Sequence, residues 1–393
     1  MNLLLKNLIW YNGQERISGD VRLAKGIILE TGKNLKPTRS EQVIEFKSHF
    51  LYPGLINAHD HLEMNLYPRL GSPPYNNYLE WSGDIYKPHE SPIREIEQVD
   101  IKDRLLWGGL KNLISGVTTV VHHNPWHTVF GKSEFPVTVL KQMAWAHSLA
   151  LDKNIERAFP KRDSIPFVIH AGEGTDSMAL SEIPRLDALG MLRKNTVLIH
   201  AVALEDTSID KIITRQAAVV WCPVSNFFLF GKTAPIEKLK DKIKIAIGTD
   251  STLTGAPTLL DEMRTSAQTI GVTPIEIFRM VTHLPARIFK LPEPEISHHN
   301  TGDLFVTPIR HENYFDNLMV TRPADIALVV VKGKVNLLDS EIEGKWNSLK
   351  NSFTIDGRLK RTHIDIASLK KRINQKVGSE ILEKNPLWKL IEI

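Results

Sequence analysis

The chain has 393 residues, of which 42% are hydrophobic and 24% charged, and this composition is typical of a globular enzyme. It carries 49 Lys and Arg against 45 Asp and Glu, which gives a formal net charge of +4. Because the two signs are nearly balanced and no basic run is interleaved with aromatic residues, nucleic acid is not expected as a partner. Cys222 is the only cysteine, so an intrachain disulfide is excluded.

The first residues indicate where the protein acts. Residues 1–10 alternate apolar and polar side chains and lead to the turn sequence Asn12-Gly13, which predicts a first strand and not a signal peptide. No apolar run approaches the roughly 20 residues that a membrane span requires. We therefore expect a cytoplasmic protein without a membrane partner.

Short apolar runs rich in Val and Ile recur along the chain with helical stretches between them, at residues 114–121, 166–170, 196–200, 218–222 and 243–247. Such runs are typical of parallel strands buried on both faces, and their alternation with helices predicts an α/β fold of the (β/α)8, TIM-barrel type. Only about 45 residues separate the second predicted strand from the fifth, whereas one βα unit usually takes roughly 30. We therefore expect an irregular barrel between strands 2 and 5.

The two ends of the chain follow a different pattern. Residues 3–50 and about 303–338 resemble short strands joined by turns, and they predict one small β-sandwich domain built from both segments. Beyond residue 341, apolar residues recur at helical spacing and predict a tail that packs outside the barrel. The expected domains are 1–50 and 303–340 for the β-sandwich, 51–302 for the barrel and 341–393 for a helical tail.

Histidines and carboxylates stand at the ends of several predicted strands. His59 and His61 end the first barrel strand, where alternate residues face the same way and can reach one ion, although a bare His-x-His is more often solvent-facing. The other members follow three further apolar runs: His170, Glu173, His200 and Asp250. Because the carboxyl ends of barrel strands form the active-site face, this placement predicts a catalytic metal site.

Several sequence motifs carry a family resemblance. The run Tyr-Pro-Gly-Leu-Ile-Asn-Ala-His-Asp-His-Leu at 52–62 resembles the opening metal motif of the amidohydrolase superfamily. His-Ala-Gly-Glu at 170–173, His200, Trp-Cys-Pro-Val-Ser-Asn at 221–226 and Gly-Thr-Asp-Ser at 248–251 resemble later motifs of its cytosine, guanine and S-adenosylhomocysteine deaminase and triazine hydrolase branch. The motifs occur in the family's order, and the resemblance extends from residue 1 to about 338.

The resemblance implies a single divalent metal ion, zinc in the first place and iron as the alternative, on four ligands: His59, His61, His170 and Asp250. It also implies that Glu173 shuttles protons and that His200 contacts the attacking water or the substrate. Asp250 would accept a proton from the metal-activated water as well as bind the metal. Lys141 lies near the position where a two-metal branch carries a carboxylated lysine, but the His-x-x-Glu arrangement belongs to the mononuclear branch. We therefore expect Lys141 to be an ordinary side chain.

Substrate contacts are expected from the long segment 67–86 and from the histidine-rich segment 122–127. Aromatic residues in the first segment would overhang the metal and could sandwich a flat heterocycle, although packing among themselves explains any single one of them equally well. From the two segments we select Trp81 and His123 as candidate substrate residues.

These observations predict a hydrolase of carbon–nitrogen bonds other than peptide bonds, in the first place an aminohydrolase of a purine, pyrimidine, pterin or triazine-like ring. On the same site, opening of a cyclic amide, as in imidazolonepropionase, or a chloro-triazine hydrolysis is the alternative. An inactive relative with a binding or structural role would have lost ligands, and none is lost. The expected partner is a small heterocyclic substrate, and a homodimer is left open.

Overall fold

The computed structural model describes residues 2–342 and 348–393. The first strands are β1 (Asn2–Tyr11), β2 (Arg16–Ala24), β3 (Ile27–Gly32) and β4 (Glu41–Pro53). Strands and helices then alternate: β5 (Leu55–Asp60), α1 (Tyr78–Ile85), α2 (Ile93–Glu97), α3 (Ile101–Leu113), β6 (Val117–His122), β7 (Thr138–Val139), β8 (Ala144–Ser148), α4 (Ile155–Ala158), β9 (Phe167–Ala171), α5 (Ser177–Ala188), β10 (Thr196–His200), α6 (Asp206–Arg215), β11 (Ala218–Trp221), α7 (Pro223–Phe230), α8 (Ile236–Leu239), β12 (Ile245–Ile247), α9 (Leu259–Ala267), α10 (Pro274–Met280) and α11 (His283–Phe289). The C-terminal part contains β13 (Leu304–Pro308), α12 (Tyr314–Val320), β14 (Leu328–Val331), β15 (Lys334–Asp339), β16 (Asn351–Ile355), β17 (Arg358–Thr362), α13 (Ile366–Val377), α14 (Ser379–Leu382), α15 (Pro386–Leu390) and β18 (Ile391–Glu392).

The strands from β5 to β12 form two parallel sheets, with the orders β5-β6-β7 and β8-β9-β10-β11-β12. All residues of β5, β6, β9 and β10 are buried, as expected of strands covered on both faces. The ends of β12 and β5 meet, because the backbone N–H groups of Thr249 and Asp250 donate to the carbonyl oxygen of His59 at 2.9 and 3.1 Å. The predicted α/β fold is confirmed in this TIM-barrel-like form, and full closure stays a prediction.

The interval between β6 and β9 is the irregular part of the parallel arrangement. Its two strands, β7 and β8, have two and five residues. Within the described interval its helical elements are the four-residue α4 and a four-residue 3₁₀ turn, Thr128–Gly131. Loops therefore replace a full-length helix here, in agreement with the short spacing in the sequence.

A ten-stranded mixed sheet joins the two ends of the chain, in the order β18-β16-β17-β15-β14-β13-β4-β1-β2-β3. Its central connection is the antiparallel pair β13 and β4, in which Phe305 lies opposite Tyr52. The two terminal segments thus share one β structure, as the sequence predicts. The sandwich arrangement and the domain boundaries stay predictions.

The tail differs from the expected helical segment. The hairpin of β16 and β17 extends the mixed sheet by pairing with β15, and β18 pairs with β16. The expectation of a purely helical tail is therefore wrong for these residues. The sequence of β17 does not look like a strand, because a lysine, Lys360, occupies one of its buried positions. Its Nζ donates to Asp339 at 2.7 Å and to the carbonyl oxygens of Ala324 and Ile326 at 2.7 and 2.8 Å. The helical spacing itself is confirmed by α13, which buries Leu369, Ile373 and Val377.

None of the helices in the described ranges is long and apolar enough to cross a membrane.

Candidate metal centre

Three strand ends bring the predicted metal ligands together. His59 and His61 lie at the end of β5 and just beyond it, His170 lies in β9, and Asp250 follows β12. The Nε2 atoms of His59 and His61 lie 3.7 and 3.6 Å from Oδ1 of Asp250. The ring centroids of His59 and His170 are 5.0 Å apart. The four predicted ligands therefore converge at the carboxyl ends of the parallel strands.

The buried nitrogen atoms of this cluster fit a cation. Both ring nitrogens of His59 and Nδ1 of His61 are buried and have no hydrogen-bond partner in the described part of the chain. Such atoms are rare in folded proteins unless they serve as ligands. Nδ1 of His170 donates to the carbonyl oxygen of His147 at 2.8 Å, which leaves the lone pair on Nε2. The residues present thus fit a divalent metal ion.

The charge states of the ligands also suit a metal. Burial lowers the pKa of His61 and of His170 well below the ordinary value, so both imidazoles are neutral at neutral pH. Neutral imidazole is the form that binds metals. Oδ2 of Asp250 accepts hydrogen bonds from the hydroxyls of Ser225 at 2.9 Å and Thr254 at 2.7 Å. Its other oxygen, Oδ1, is the one that faces the two histidines of β5.

The backbone is strained at two of the predicted site residues. His200 has φ of 71° and Asp250 has φ of 54°, in the left-handed region that side chains other than glycine seldom adopt. Such strain clusters at functional sites, where the surrounding structure holds it. Gly248 permits the close approach of the strand ends, because a Cβ there would lie 2.6 Å from Cβ of His59.

Glu173 and His200 form a second pair beside the ligands. Oε1 of Glu173 lies 3.5 Å from Nε2 of His200. Burial, and then the neighbouring carboxylates of Asp250 and Glu182, raise the pKa of Glu173 well above its usual range. Burial lowers the pKa of His200 to about 4. The raised pKa favours the protonated form of the carboxyl group, and the lowered pKa keeps the imidazole uncharged at neutral pH.

The neutral ring of His200 is oriented by Asn226. Nδ1 of His200 lies 2.8 Å from Oδ1 of Asn226, and Nδ2 of the same amide donates to the hydroxyl of Thr233 at 3.2 Å. Because an amide oxygen only accepts, Nδ1 of His200 carries the proton and Nε2 carries the lone pair. His200 thus presents an acceptor towards Glu173 and the pocket.

His123 lies elsewhere than expected. Its ring stacks on that of His170 with centroids 4.5 Å apart, and its Nε2 bonds the carbonyl oxygen of Ala146 at 2.9 Å. It offers a nitrogen within 4.8 Å of ligand atoms of His59, His61 and His170, and its side chain is fully buried. His123 is also not among the residues that line the pocket. The structure therefore groups it with the metal ligands and not with the pocket wall.

A cavity of about 290 Å³ opens over the cluster. It is lined by five of the predicted metal-ligand and catalytic residues: His61, His170, Glu173, His200 and Asp250. Its walls are mainly aromatic and aliphatic, with Tyr67, Tyr78, Trp81 and Tyr86 among them. Trp81 lines the cavity, and its Nε1 donates to the carbonyl oxygen of Leu70 at 3.1 Å. Its contact with a substrate stays a prediction.

Several polar residues of this cavity are missing from the sequence prediction, His147 and Glu63 among them. His147 lines the cavity beside His170, but it belongs to β8, a run that lacks the Val and Ile of the other strands. Glu63 follows His61 in a 3₁₀ turn and accepts a hydrogen bond from Nδ2 of Asn124 at 2.5 Å. Glu63 could have been predicted from its position, because it lies two residues after the His-x-His motif.

A buried polar network lies behind the metal ligands. Asp60 separates His59 from His61, and its carboxylate lies 3.3 Å from Nζ of Lys111. Nζ of Lys111 also donates to Oγ1 of Thr249 at 2.8 Å, which connects β5 to the loop that carries Asp250. Three asparagines donate their Nδ2 groups to the Asp60 carboxylate: Asn57, Asn65 and Asn112.

Comparisons with known proteins agree with this geometry. Residues 144–336 match the model of the Amidohydrolase family. The 5-methylthioadenosine/S-adenosylhomocysteine deaminase of Pyrococcus furiosus is 25% identical over 412 aligned positions, covering 86% of this chain and 96% of that protein. The probable guanine deaminase of Schizosaccharomyces pombe is 23% identical and covers 61% of this chain and 58% of its own.

Solved structures of the same fold extend over nearly the whole chain. A zinc-bound adenosine deaminase from Xanthomonas campestris matches 97% of this chain and 98% of its own, with a TM-score of 0.74 at 17% identity. The atrazine chlorohydrolase of Arthrobacter aurescens, complexed with zinc, matches 95% and 100%, with a TM-score of 0.74 at 15% identity. At these identities the likeness shows the fold alone. The family match over residues 144–336 and the curated relatives agree with this fold.

Proposed function

We propose that this protein is a metal-dependent aminohydrolase that releases ammonia from a small nitrogen heterocycle. The observation that carries the proposal is the close pair of Glu173 and His200, which lines an aromatic pocket next to the ligand cluster. Relatives from Pyrococcus furiosus, Methanothrix thermoacetophila and Schizosaccharomyces pombe bear the name deaminase, which supports the same reaction type here.

The proposed cofactor is a single zinc ion held by His59, His61, His170 and Asp250, with iron as the alternative. Three imidazoles and one carboxylate are a donor set that zinc favours, and two structural neighbours contain zinc. When bound, the ion would supply Lewis-acid activation of water. His123, whose Nε2 bonds the carbonyl oxygen of Ala146 and whose ring stacks on that of His170, is a neighbour of these four residues and not one of the proposed ligands.

The side chains would divide the proton transfers of a hydrolytic deamination. Water adds to the ring carbon that bears the amine, the carbon–nitrogen bond breaks, and ammonia leaves. Oδ1 of Asp250 is placed to accept the proton of the attacking water, since Oδ2 is already occupied by Ser225 and Thr254. Glu173 would donate its proton to the ring nitrogen, and the proton from Asp250 would then reach the departing amine. The hydroxyl proton of the adduct would return to Glu173 as the carbonyl group forms and the carbon–nitrogen bond breaks.

His200 would orient the water instead of donating to the developing oxyanion. Its Nδ1 proton is already shared with Asn226, and Nε2 is an acceptor in the neutral ring. Donation from Nε2 would need the imidazolium form, which the lowered pKa of about 4 disfavours. This role differs from that of a hydrogen-bond donor to the tetrahedral intermediate.

An ammonia-release screen of the zinc-loaded protein over purines, pyrimidines, pterins and triazines tests the proposal. Mass spectrometry of the product should show that an amine has been replaced by a carbonyl group. Protein stripped with a chelator should be inactive and regain activity with zinc. Ring opening without ammonia, or release of chloride from a chloro-triazine as the only reaction, would contradict the proposal.

We also propose the finer features that the sequence predicts. These are a closed (β/α)8 barrel with a β-sandwich domain, a cytoplasmic location, and small molecules in place of nucleic acid as partners. A homodimer is left open.

A further inference from the structure

Arg104 gives the pocket an unusual charge. It lies in α3 and, among the described residues that line the cavity, it alone carries a permanent positive charge. The same cavity contains the candidate catalytic residues Glu173, His200 and Asp250. A single small molecule can therefore contact both the reaction centre and the guanidinium.

Among the residues that the structure describes, the guanidinium of Arg104 has no carboxylate partner. No carboxylate oxygen of the described residues lies within 4.0 Å of it, and its Nε is buried without a hydrogen-bond partner. Its polar neighbour is the hydroxyl of Tyr67, which is neutral. Other arginines near this surface are paired, such as Arg94 with Glu95 and Arg372 with Asp103.

A half-buried guanidinium in an apolar wall is stabilised most by binding an anion. Removing a charge from water is costly unless an opposite charge compensates it, and the planar guanidinium matches a carboxylate with two parallel hydrogen bonds. From this we infer that Arg104 binds a carboxylate substituent on the heterocyclic substrate. The inference rests on the proposed function, because it assumes that the ring itself is held above the metal ligands.

The other charges of the cavity favour a carboxylate over a phosphate. Glu63 and Glu97 line the same cavity, so a dianionic phosphate would meet two like charges and only one cation. A carboxylate carries one negative charge and fits the single guanidinium. The cavity of about 290 Å³ is also at the small end of ligand sites, which favours a short substituent.

Matched pairs of ligands test the inference without requiring turnover. The probes are cytosine against cytosine-5-carboxylate and pterin against pterin-6-carboxylate, titrated calorimetrically into the zinc-loaded protein. For at least one pair, the wild type should bind the carboxylated member about 10-fold to 100-fold more tightly than the neutral one. Arg104→Met should remove this preference, measured as the ratio of the two dissociation constants, while Arg104→Lys should keep part of it. Arg94→Met is the matched control, because Arg94 lies in the neighbouring helix α2 and outside the cavity.

Three results would overturn the inference. The first is that neither carboxylated probe binds better than its neutral partner, and the second is that Arg104→Met keeps the preference. The third is that Glu97→Gln weakens binding while Arg104→Met does not, which would indicate a cationic substituent. The proposed function is judged separately by ammonia release. If the carboxylate inference failed but both the wild type and Arg104→Met released ammonia from a neutral ring, the proposed function would still hold.

Discussion

Oε1 of Glu173 lies 3.5 Å from Nε2 of His200, and both side chains are almost completely buried. Burial acts in opposite directions on the two groups, raising the pKa of the carboxyl and lowering that of the imidazole. The pair therefore carries its proton on Glu173 and its lone pair on His200. This is the arrangement that a general acid beside an acceptor requires.

Replacement of Glu173 by Gln should lower kcat by roughly 10²–10⁴, the usual contribution of general acid–base catalysis, because the amide keeps the shape but cannot release a proton. Zinc content, measured by atomic emission, should stay at the wild-type level. If Glu173→Gln lost its metal while His170→Ala kept it, the two residues would have exchanged roles.

His59→Ala and Asp250→Ala should each lower the metal content and abolish turnover, because each removes one of four ligands. Lys141→Ala is the matched control. Lys141 is exposed, with its Nζ 5.4 Å from the centre of the Trp126 ring, and its replacement should change neither property. Full occupancy with near-normal turnover in either ligand variant would be incompatible with the assignment.

Lys111→Met should destabilise the protein by about 3–5 kcal/mol, the range for removing one partner of a buried ion pair. Lys111 is fully buried, and its loss would leave the Asp60 carboxylate with amide donors but no cation. Denaturant unfolding measures the change. The double variant Asp60→Asn/Lys111→Met should recover part of the loss. An unfolding free energy equal to that of wild type in Lys111→Met would show that the pair contributes nothing.

Asn385 connects the tail to the pocket. Its Nδ2 donates to the carbonyl oxygens of Asn65 at 3.1 Å and Tyr67 at 2.8 Å, in the loop that follows His61. Asn385→Ala should raise KM about threefold to tenfold, with a smaller effect on kcat, because losing such bonds costs roughly 1–3 kcal/mol and Tyr67 lines the cavity. Asn374→Ala, at an exposed position of α13, is the control. Equal kinetics in the two variants would argue against this contact.

Because of Glu182, we expect the free energy of unfolding to depend on pH in a specific way. Its Oε2 accepts the backbone N–H of Gly172 at 2.7 Å, and burial raises its pKa from 4.5 to about 7. A carboxyl group whose pKa is raised in the folded state stabilises that state fully at pH values below its pKa in the unfolded state. This stabilisation is lost as the pH rises through the pKa of the folded state. Relative to Glu182→Gln, the wild type should therefore lose up to about 3 kcal/mol between pH 4.5 and pH 8. Parallel unfolding curves of the two proteins across this range would contradict the prediction.

The convergence of the proposed metal ligands could be predicted because it depends on local pattern. His59, His170 and Asp250 lie in or directly after apolar strands, and parallel strands bring their carboxyl ends to one face whatever the loops do. The shared sheet of the two terminal segments follows for a similar reason, since each segment alone lacks enough partners to be stable.

Other features depend on tertiary contacts that leave little trace in the sequence. Arg104 has the spacing of an ordinary helix surface, and its place in the cavity follows only from how α3 packs over the strand ends. Lys360 interrupts the apolar pattern of β17 because its ammonium group is compensated by a carboxylate and two carbonyl oxygens that are distant in sequence. His123 resembles a pocket histidine by position, and only its bond to Ala146 and its stacking on His170 indicate otherwise.

The most direct test of the central claim is ammonia release measured against added zinc, on metal-free protein and with the best ring from the screen. We predict that activity rises linearly and saturates at one zinc per chain, and that His59→Ala shows no activity at the same zinc concentrations. Ammonia release by the metal-free protein, or by His59→Ala at the wild-type rate, would contradict it.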